Sequence, residues 1–184
     1  MAPSFDLVSE PWIPCLRLDG SPDTLGLLDT LVQAHELREV VDASPLVTAS
    51  LHRLLLAILH RNFGPPKYDA WRELWAAGRF DEGVLTDYFD QWRHRFDLFD
   101  EERPFYQTPA MPEKMLKDVT KLAEDAAAGN NPTLFDHSLD DGTRTMTAAN
   151  AACLLVAQQS YSLGGLMSDE SGKTSGKSAP LTDG

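Results

Sequence analysis

Hydrophobic and polar positions change their spacing several times along the chain, and each change marks an expected element. Trp12 to Leu18 carries Trp12, Cys15 and Leu16 ahead of the turn signal Asp19-Gly20. The chain is predicted to return through Thr24 to Leu28, making a small hairpin. Asp29 then precedes Leu31, Val32, Ala34, Leu37, Val40 and Val41, with Glu36, Arg38 and Glu39 between them. That spacing predicts an amphipathic helix reaching Val41. Ser44-Pro45 is a helix start, and Leu46, Ala49, Leu51, Leu54, Leu55, Ile58, Leu59 and Phe63 are apolar on more than one face. This segment is expected to be the central buried helix, stopped by Gly64-Pro65-Pro66.

Two further amphipathic segments follow, from Tyr68 past Trp71, Leu74 and Trp75 to Gly78, and from Leu85 to Phe96. In the second, Tyr88, Phe89, Trp92 and Phe96 recur about one turn apart, opposite Asp87, Asp90, Arg93 and Arg95. Such a stripe could stack nucleic-acid bases, but its helical spacing and the lack of a lysine-rich groove favour a core face. Phe96 to Pro109 is an acidic, aromatic loop kept out of regular helix by Pro104 and Pro109. Pro112 is expected to start a helix through Met115, Leu116, Val119 and Leu122.

The polar loop GNNPTLFDH, Gly129 to His137, sets the turn formers Asn130, Asn131 and Pro132 ahead of Leu134, Phe135 and Asp136. Apolar residues on a polar loop need a partner. After the turn at Asp140, Asp141 and Gly142, Thr147 is placed to cap a helix through Ala151, Leu154, Leu155, Gln158 and Tyr161. Gly164-Gly165 ends that helix, either as a plain cap or as bare backbone able to approach a groove closely. From Ser168 to Gly184 the composition turns to Ser, Gly, Lys and Asp, which predicts a flexible tail. The expected organisation is therefore one α+β, predominantly helical region over residues 1–167, followed by a tail over 168–184.

With 184 residues and 42% hydrophobic content the chain can build one sizeable core. No apolar run approaches the roughly 20 residues that span a bilayer. The opening MAPSFDLVSEPW lacks a basic and then apolar leader, so a cytoplasmic protein with no membrane contact is expected. A net charge of -12 argues against wrapping nucleic acid through its own phosphate contacts. Any such contact is expected to be local.

Chemical motifs were tested in turn. SGKTSGKS, Ser171 to Ser178, lacks the first glycine of a phosphate loop, leaving a basic tail whose Lys173 and Lys177 touch phosphates weakly at most. DHSLDDG, Asp136 to Gly142, puts Asp141 where a calcium loop needs glycine and Thr147 where it needs glutamate. His52 and His60 are too far apart for a helix-borne metal pair, and His35, His94 and His137 are scattered. Cys15 and Cys153 lack ligand spacing and read as small buried hydrophobes. No triad can be assembled. The acidic runs near Asp97 to Glu102 and Asp136 to Asp141 leave a two-metal nuclease as a formal alternative, and loops that meet only protein as another.

The chain resembles the N-terminal portion of the CasA family, the large subunits of the type I-E CRISPR surveillance complex, Cascade. The resemblance rests on EPWIP (Glu10 to Pro14), SPLVTASLHRLLLAILH (Ser44 to His60), WRHRFDLFDEERPFYQ (Trp92 to Gln107), GNNPTLFDH and SLGG (Ser162 to Gly165). It implies a non-catalytic, ribonucleoprotein subunit in antiviral defence. The implied partners are other Cascade subunits, the CRISPR guide RNA, target double-stranded DNA and a helicase-nuclease effector. By resemblance, the loop holding Asn130, Asn131, Leu134, Phe135 and Asp136 meets the guide-RNA handle and a neighbouring subunit. Leu163, Gly164 and Gly165 lie against the minor groove beside the target. Family members continue beyond the length of this chain, so residues 1–167 are expected to be an incomplete region. Some relatives hold zinc through cysteine pairs near the acidic turn. Residues 140–145 contain no cysteine, so neither a metal nor another cofactor is expected.

Overall fold

The computed structural model of the chain describes residues 3–111, 119–122, 145–161, 166–168 and 174–178. Its architecture is α+β and mostly helical, with a small three-stranded sheet that the N-terminal segment ties to the helices and a separate two-stranded pairing. β1 (Ile13–Arg17) and β2 (Pro22–Leu25) form the expected hairpin, with Ile13 opposite Leu25 and Cys15 opposite Asp23. At the turn, Asp19 Oδ1 accepts the Ser21 N–H at 2.9 Å, and Gly20 takes a left-handed φ of 85°. Ile13 and Cys15 alternate into the core while Arg17 reaches outward to Asp23 at 2.6 Å.

α1 (Leu27–Val32) is shorter than its sequence pattern predicts. A 3-10 turn at Ala34–Glu36 follows, and then a third strand, β3 (Leu37–Val40), pairs antiparallel with β1 to give the order β2-β1-β3. The helix expected through Val41 is therefore corrected to helix, turn and strand. Leu37 and Val40 satisfy a helical spacing, but β1 offers an unpaired backbone edge. Long-range pairing with that edge suits β-branched Val40 and Val41. Beyond the ladder, the Val41 N–H reaches Pro14 O at 3.0 Å and the Leu18 N–H reaches Glu36 O at 3.3 Å.

α2 (Pro45–Phe63) begins and ends where its sequence signals lie, with Ser44 extended before Pro45 and the Gly64 N–H on His60 O at 3.1 Å. Val47, Ser50, Leu51, Leu54, Leu55 and Ile58 form its buried side, whereas Leu46 and Leu56 are exposed. Each fully buried aliphatic side chain contributes about 1.5–3 kcal/mol. α3 (Tyr68–Ala77) closes on Gly78 at a φ of 69° and buries none of its residues. α4 (Glu82–Trp92) is capped by Asp81, whose carboxylate accepts the Val84 N–H at 3.1 Å.

The aromatic stripe of α4 is a core face, as its spacing predicts. Phe89 and Phe96 are buried with ring centroids 5.4 Å apart, and Phe105 stacks on Phe96 at 5.8 Å. Tyr88 and Trp92, at its margin, are only half-buried. The loop after Phe96 is stitched to the chain's start by the Leu7 N–H to Phe96 O at 2.8 Å and the Leu98 N–H to Phe5 O at 3.0 Å. Arg93 also pairs with Asp6 across this junction.

The helix expected from Pro112 lies largely outside the described residues, Met115 and Leu116 included. Its described end, Val119–Leu122, is a 3-10 turn rather than α-helix. α5 (Ala148–Tyr161) is capped as expected, since Thr147 Oγ1 accepts the Asn150 N–H at 3.2 Å. Its buried side, Ala152, Cys153, Leu155 and Val156, packs along α2. Beyond it, β4 (Leu166–Ser168) pairs antiparallel with β5 (Thr174–Ser178), so backbone pairing extends into the Ser/Gly/Lys segment.

Gly26 joins β2 to α1 where a Cβ would stand 2.5 Å from Val8 O. The same strip of backbone carries the Leu27 N–H to Leu7 O at 3.0 Å and the Leu28 N–H to Val8 O at 3.2 Å, so neither side can yield without losing a hydrogen bond. Gly26→Ala is expected to lower unfolding stability by about 1–3 kcal/mol, read from the urea midpoint. An unchanged midpoint would show that this contact relaxes freely.

Candidate functional site

The residues assigned to the guide-RNA and target-DNA contacts all lie outside the described residues. They are Asn130, Asn131, Leu134, Phe135 and Asp136 in the first loop, and Leu163, Gly164 and Gly165 in the second. The acidic turn and His137 lie outside them too. What the structure describes is the framework that holds the origins of both segments.

That framework is α5. Its buried side packs along α2, and polar side chains near its C-terminal end reach other segments of the chain. Gln158 Nε2 donates to Leu122 O at 3.2 Å, fixing the point from which the first segment departs. Tyr161, less than one turn later, is the last described residue before Leu163, Gly164 and Gly165. The two segments thus leave from the same end of one helix. The first returns at Thr147, about 16 Å away along α5 at 1.5 Å per residue. Next to Gln158, Gln159 Nε2 donates to Tyr106 O at 3.0 Å, so the same turn of helix also holds the loop after α4.

EPWIP proves to be an architectural motif. Trp12 is buried, its indole N–H donates to Leu7 O at 2.9 Å, and its carbonyl accepts the Cys153 thiol at 3.2 Å. Cys15 and Cys153 are both buried and unpaired by disulfide, in keeping with their reading as small hydrophobes. Burial, reinforced by the nearby Asp23, pushes the Cys15 thiol up to about 11. Burial and the charge of Asp42 push Cys153 up to about 12. Neither is a nucleophile near neutral pH. His52 and His60 are exposed on α2, and His52 Nδ1 lies 2.8 Å from Thr48 O. Among the described residues, no three His, Cys, Asp or Glu side chains gather in a way that could hold a metal ion. No described helix is long and apolar enough to cross a membrane.

Sequence reading missed one assembly. Arg61 of α2, Arg95 after α4 and Arg103 of the following loop line a single cleft beside Tyr88, Trp92 and Tyr106. The search for lysine runs could not find it, since its cations come from three separate segments. The partial signal was Arg53, Ala57 and Arg61 at four-residue spacing, which places them on one side of α2.

Against known proteins, residues 6–183 match the family model of the CRISPR-associated protein Cse1. A CRISPR-associated protein CasA/Cse1 of Thermus thermophilus is 40% identical over 178 residues, which are 96% of this chain and 35% of that protein. The crystal structure of Thermobifida fusca Cse1 superposes with a TM-score of 0.78 at 34% identity, over 90% of this chain and 31% of that one. A chain of a CRISPR RNA-guided surveillance complex superposes with a TM-score of 0.81 at 30% identity, over 94% of this chain and 38% of that one. The present chain therefore spans about a third of the length of these relatives.

The raised thiol pKa values give a direct check on this site's chemistry. At pH 8 a thiol reagent should label the native chain only as fast as it unfolds, and prompt labelling of both cysteines would overturn the assignment. A thiol whose pKa is raised on folding stabilises fully below its free value of 9.0. That contribution is lost as pH climbs toward about 11 for Cys15 and about 12 for Cys153. The melting temperature should fall through that window, and less steeply in Cys153→Ala.

Proposed function

The chain belongs to the CRISPR-associated Cse1 family, and from that premise we propose that it serves as a non-catalytic subunit of a type I-E CRISPR surveillance complex in the cytoplasm. In this reading it works by contact and positioning. Asn130, Asn131, Leu134, Phe135 and Asp136 meet the guide-RNA handle and an adjoining subunit. Leu163, Gly164 and Gly165 approach the minor groove of the motif beside the DNA target. Residues 1–167 act as the globular part and 168–184 as its tail, and the assembled complex recruits a helicase-nuclease. Neither a metal nor another cofactor takes part.

The observation that carries the reading is the common origin of the two segments on α5, where Gln158 holds Leu122 O at 3.2 Å and Tyr161 leads into the glycine segment. A ruler-like helix that launches both is suited to setting the distance between an RNA-bearing and a DNA-bearing neighbour. Residues 123–144 have a fully extended reach of about 70 Å at about 3.3 Å per residue, against about 16 Å between their anchors. Ample chain remains for contact with another molecule. The likeness over 94% of the chain to part of an RNA-guided surveillance complex supports the same setting.

A second reading, a helical interaction module that meets only protein, is favoured by α3. That helix buries no residue, and Tyr68, Trp71 and Trp75 are exposed on it, stacked at 5.8 and 5.7 Å between ring centroids.

Reconstitution with the other subunits and guide RNA separates the two. Phe135→Ala should reduce incorporation of the chain, measured by co-purification. Replacing Gly164 and Gly165 with valine should leave incorporation intact and weaken target-duplex binding by about tenfold or more, the effect of keeping backbone out of a groove. Unchanged duplex binding would favour the protein-only module.

A further inference from the structure

The molecule carries 16 lysines and arginines against 28 acidic residues, yet three of its arginines gather on one concave surface. The cleft between α2, the end of α4 and the loop after it has a volume of about 440 Å3. Arg61, Arg95 and Arg103 line it, and among the described residues no Asp or Glu does. All three arginines are exposed, and among the described residues none forms a side-chain ion pair or hydrogen bond. Their freedom is not for want of acids. Glu101 and Glu102 precede Arg103 directly, and elsewhere Arg17 pairs with Asp23 and Arg93 with Asp6. Three guanidiniums with no acidic partner among the described residues, on one largely apolar cleft, suit a bound polyanion.

The other half of the lining is aromatic. Tyr88 and Trp92 are half-buried along one wall, and Tyr106 is 47% exposed at the rim. Tyr106 holds a φ of 54°, a left-handed conformation that costs a residue with a Cβ about 1–2 kcal/mol. Gln159 of α5 fixes its carbonyl at 3.0 Å and Phe105 packs beside its ring at 4.4 Å between centroids. The strained backbone thus presents the ring at the cleft mouth instead of folding it inward. Arg53, two turns before Arg61 on the same side of α2, sits near this ring. Burial raises the Tyr106 phenol above its ordinary range, and the Arg53 charge pulls it back. Arg61 acts in the same sense on Tyr88, whose rise is also led by burial.

We propose that this cleft binds single-stranded nucleic acid, with phosphates held by Arg61, Arg95 and Arg103 and a base laid against Trp92 and Tyr106. An acidic peptide would satisfy the guanidiniums but leave the ring faces unused. A nucleotide supplies both the anion and the flat apolar surface. The volume lies within the roughly 300–1,000 Å3 of ordinary ligand pockets and admits one nucleotide rather than a duplex. None of the residues named for this cleft belongs to the loops assigned above, so it is tested apart from that reading.

The test is fluorescence anisotropy of the full chain with labelled dodecamers of uridine and of thymidine, at about 50 and about 200 mM salt. The wild type should bind, more weakly at the higher salt. Tighter binding of the uridine strand assigns the cleft to RNA, tighter binding of the thymidine strand to DNA, and equal binding to the shared phosphate and base chemistry. R61Q/R103Q should lose about tenfold or more in affinity and flatten the salt dependence by about two phosphate contacts. Tyr106→Gly, which relieves the left-handed strain, should lose about fivefold or more while keeping the salt slope. R72Q/R79Q removes the same charge elsewhere and should stay within about twofold.

Failure of the wild type to bind either strand would overturn the proposal, as would equal loss in R72Q/R79Q. Displacement by polyglutamate at matched charge, with Tyr106→Gly binding like wild type, would overturn it in favour of an acidic protein segment. The two assignments fail separately, because the arginine and tyrosine variants are read on free single strands, whereas the loop variants are read on incorporation and duplex binding of the assembled complex.

Discussion

The burial of Trp12 is the constraint on which the rest of the molecule depends. Its indole N–H donates to Leu7 O at 2.9 Å, its backbone N–H to Leu25 O at 3.2 Å, and its carbonyl accepts the Cys153 thiol at 3.2 Å. One residue thereby fastens the N-terminal segment, the β2 edge of the sheet and α5. Its neighbours continue the pattern, since Ile13 is fully buried and Pro14 O accepts the Val41 N–H. A buried polar atom left without a partner costs about 1–3 kcal/mol. The indole therefore positions these elements as well as filling space between them, and Gly26 is glycine because that arrangement brings Val8 O against it.

The negative charge of the chain takes on a different meaning once its carboxylates are placed. Asp6, Asp19, Asp42, Asp81, Asp97 and Asp100 each accept a backbone N–H within three residues, at Val8, Ser21, Ser44, Val84, Phe99 and Glu102. Six of the 28 acidic residues are thus turn and cap acceptors, fixed where the backbone needs them. At physiological salt, charges beyond about 8 Å are largely screened. Net charge therefore excludes a broad phosphate-binding surface without excluding a local one.

Local signals in the sequence were reliable wherever the deciding interaction is itself local. Asp19-Gly20, Ser44-Pro45, Gly78 and Thr147 all mark turns or helix ends in the structure, because the backbone each one shapes lies within a few residues. Reading failed at Leu37–Val40, where a partner strand twenty or more residues away decides between helix and strand. The cleft was illegible for the same reason, as Arg61, Arg95 and Arg103 meet only through packing of α2 against α4 and the loop beyond. The aromatic stripe was judged rightly as core at Phe89 and Phe96, but its margin at Tyr88 and Trp92 serves a second surface. The two loop sites were legible only through family resemblance. Composition alone marked them as a greasy knob and a bare turn, and their residues lie outside those described.

α5 connects these surfaces physically. Cys153 bonds to Trp12, Gln158 to Leu122 and Gln159 to Tyr106, so three distant segments are each fixed to the same fourteen-residue rod. Rod and sheet share an anchor, because the Cys153 bond ends on the residue that also holds β2. The origin of the first loop and the rim of the arginine cleft are attached at adjacent residues, Gln158 and Gln159. Any displacement of that helical turn moves both together. A subunit that must keep separate contacts at set distances needs such a common mount more than it needs strength at any one contact, and helix packing between α5 and α2 supplies it.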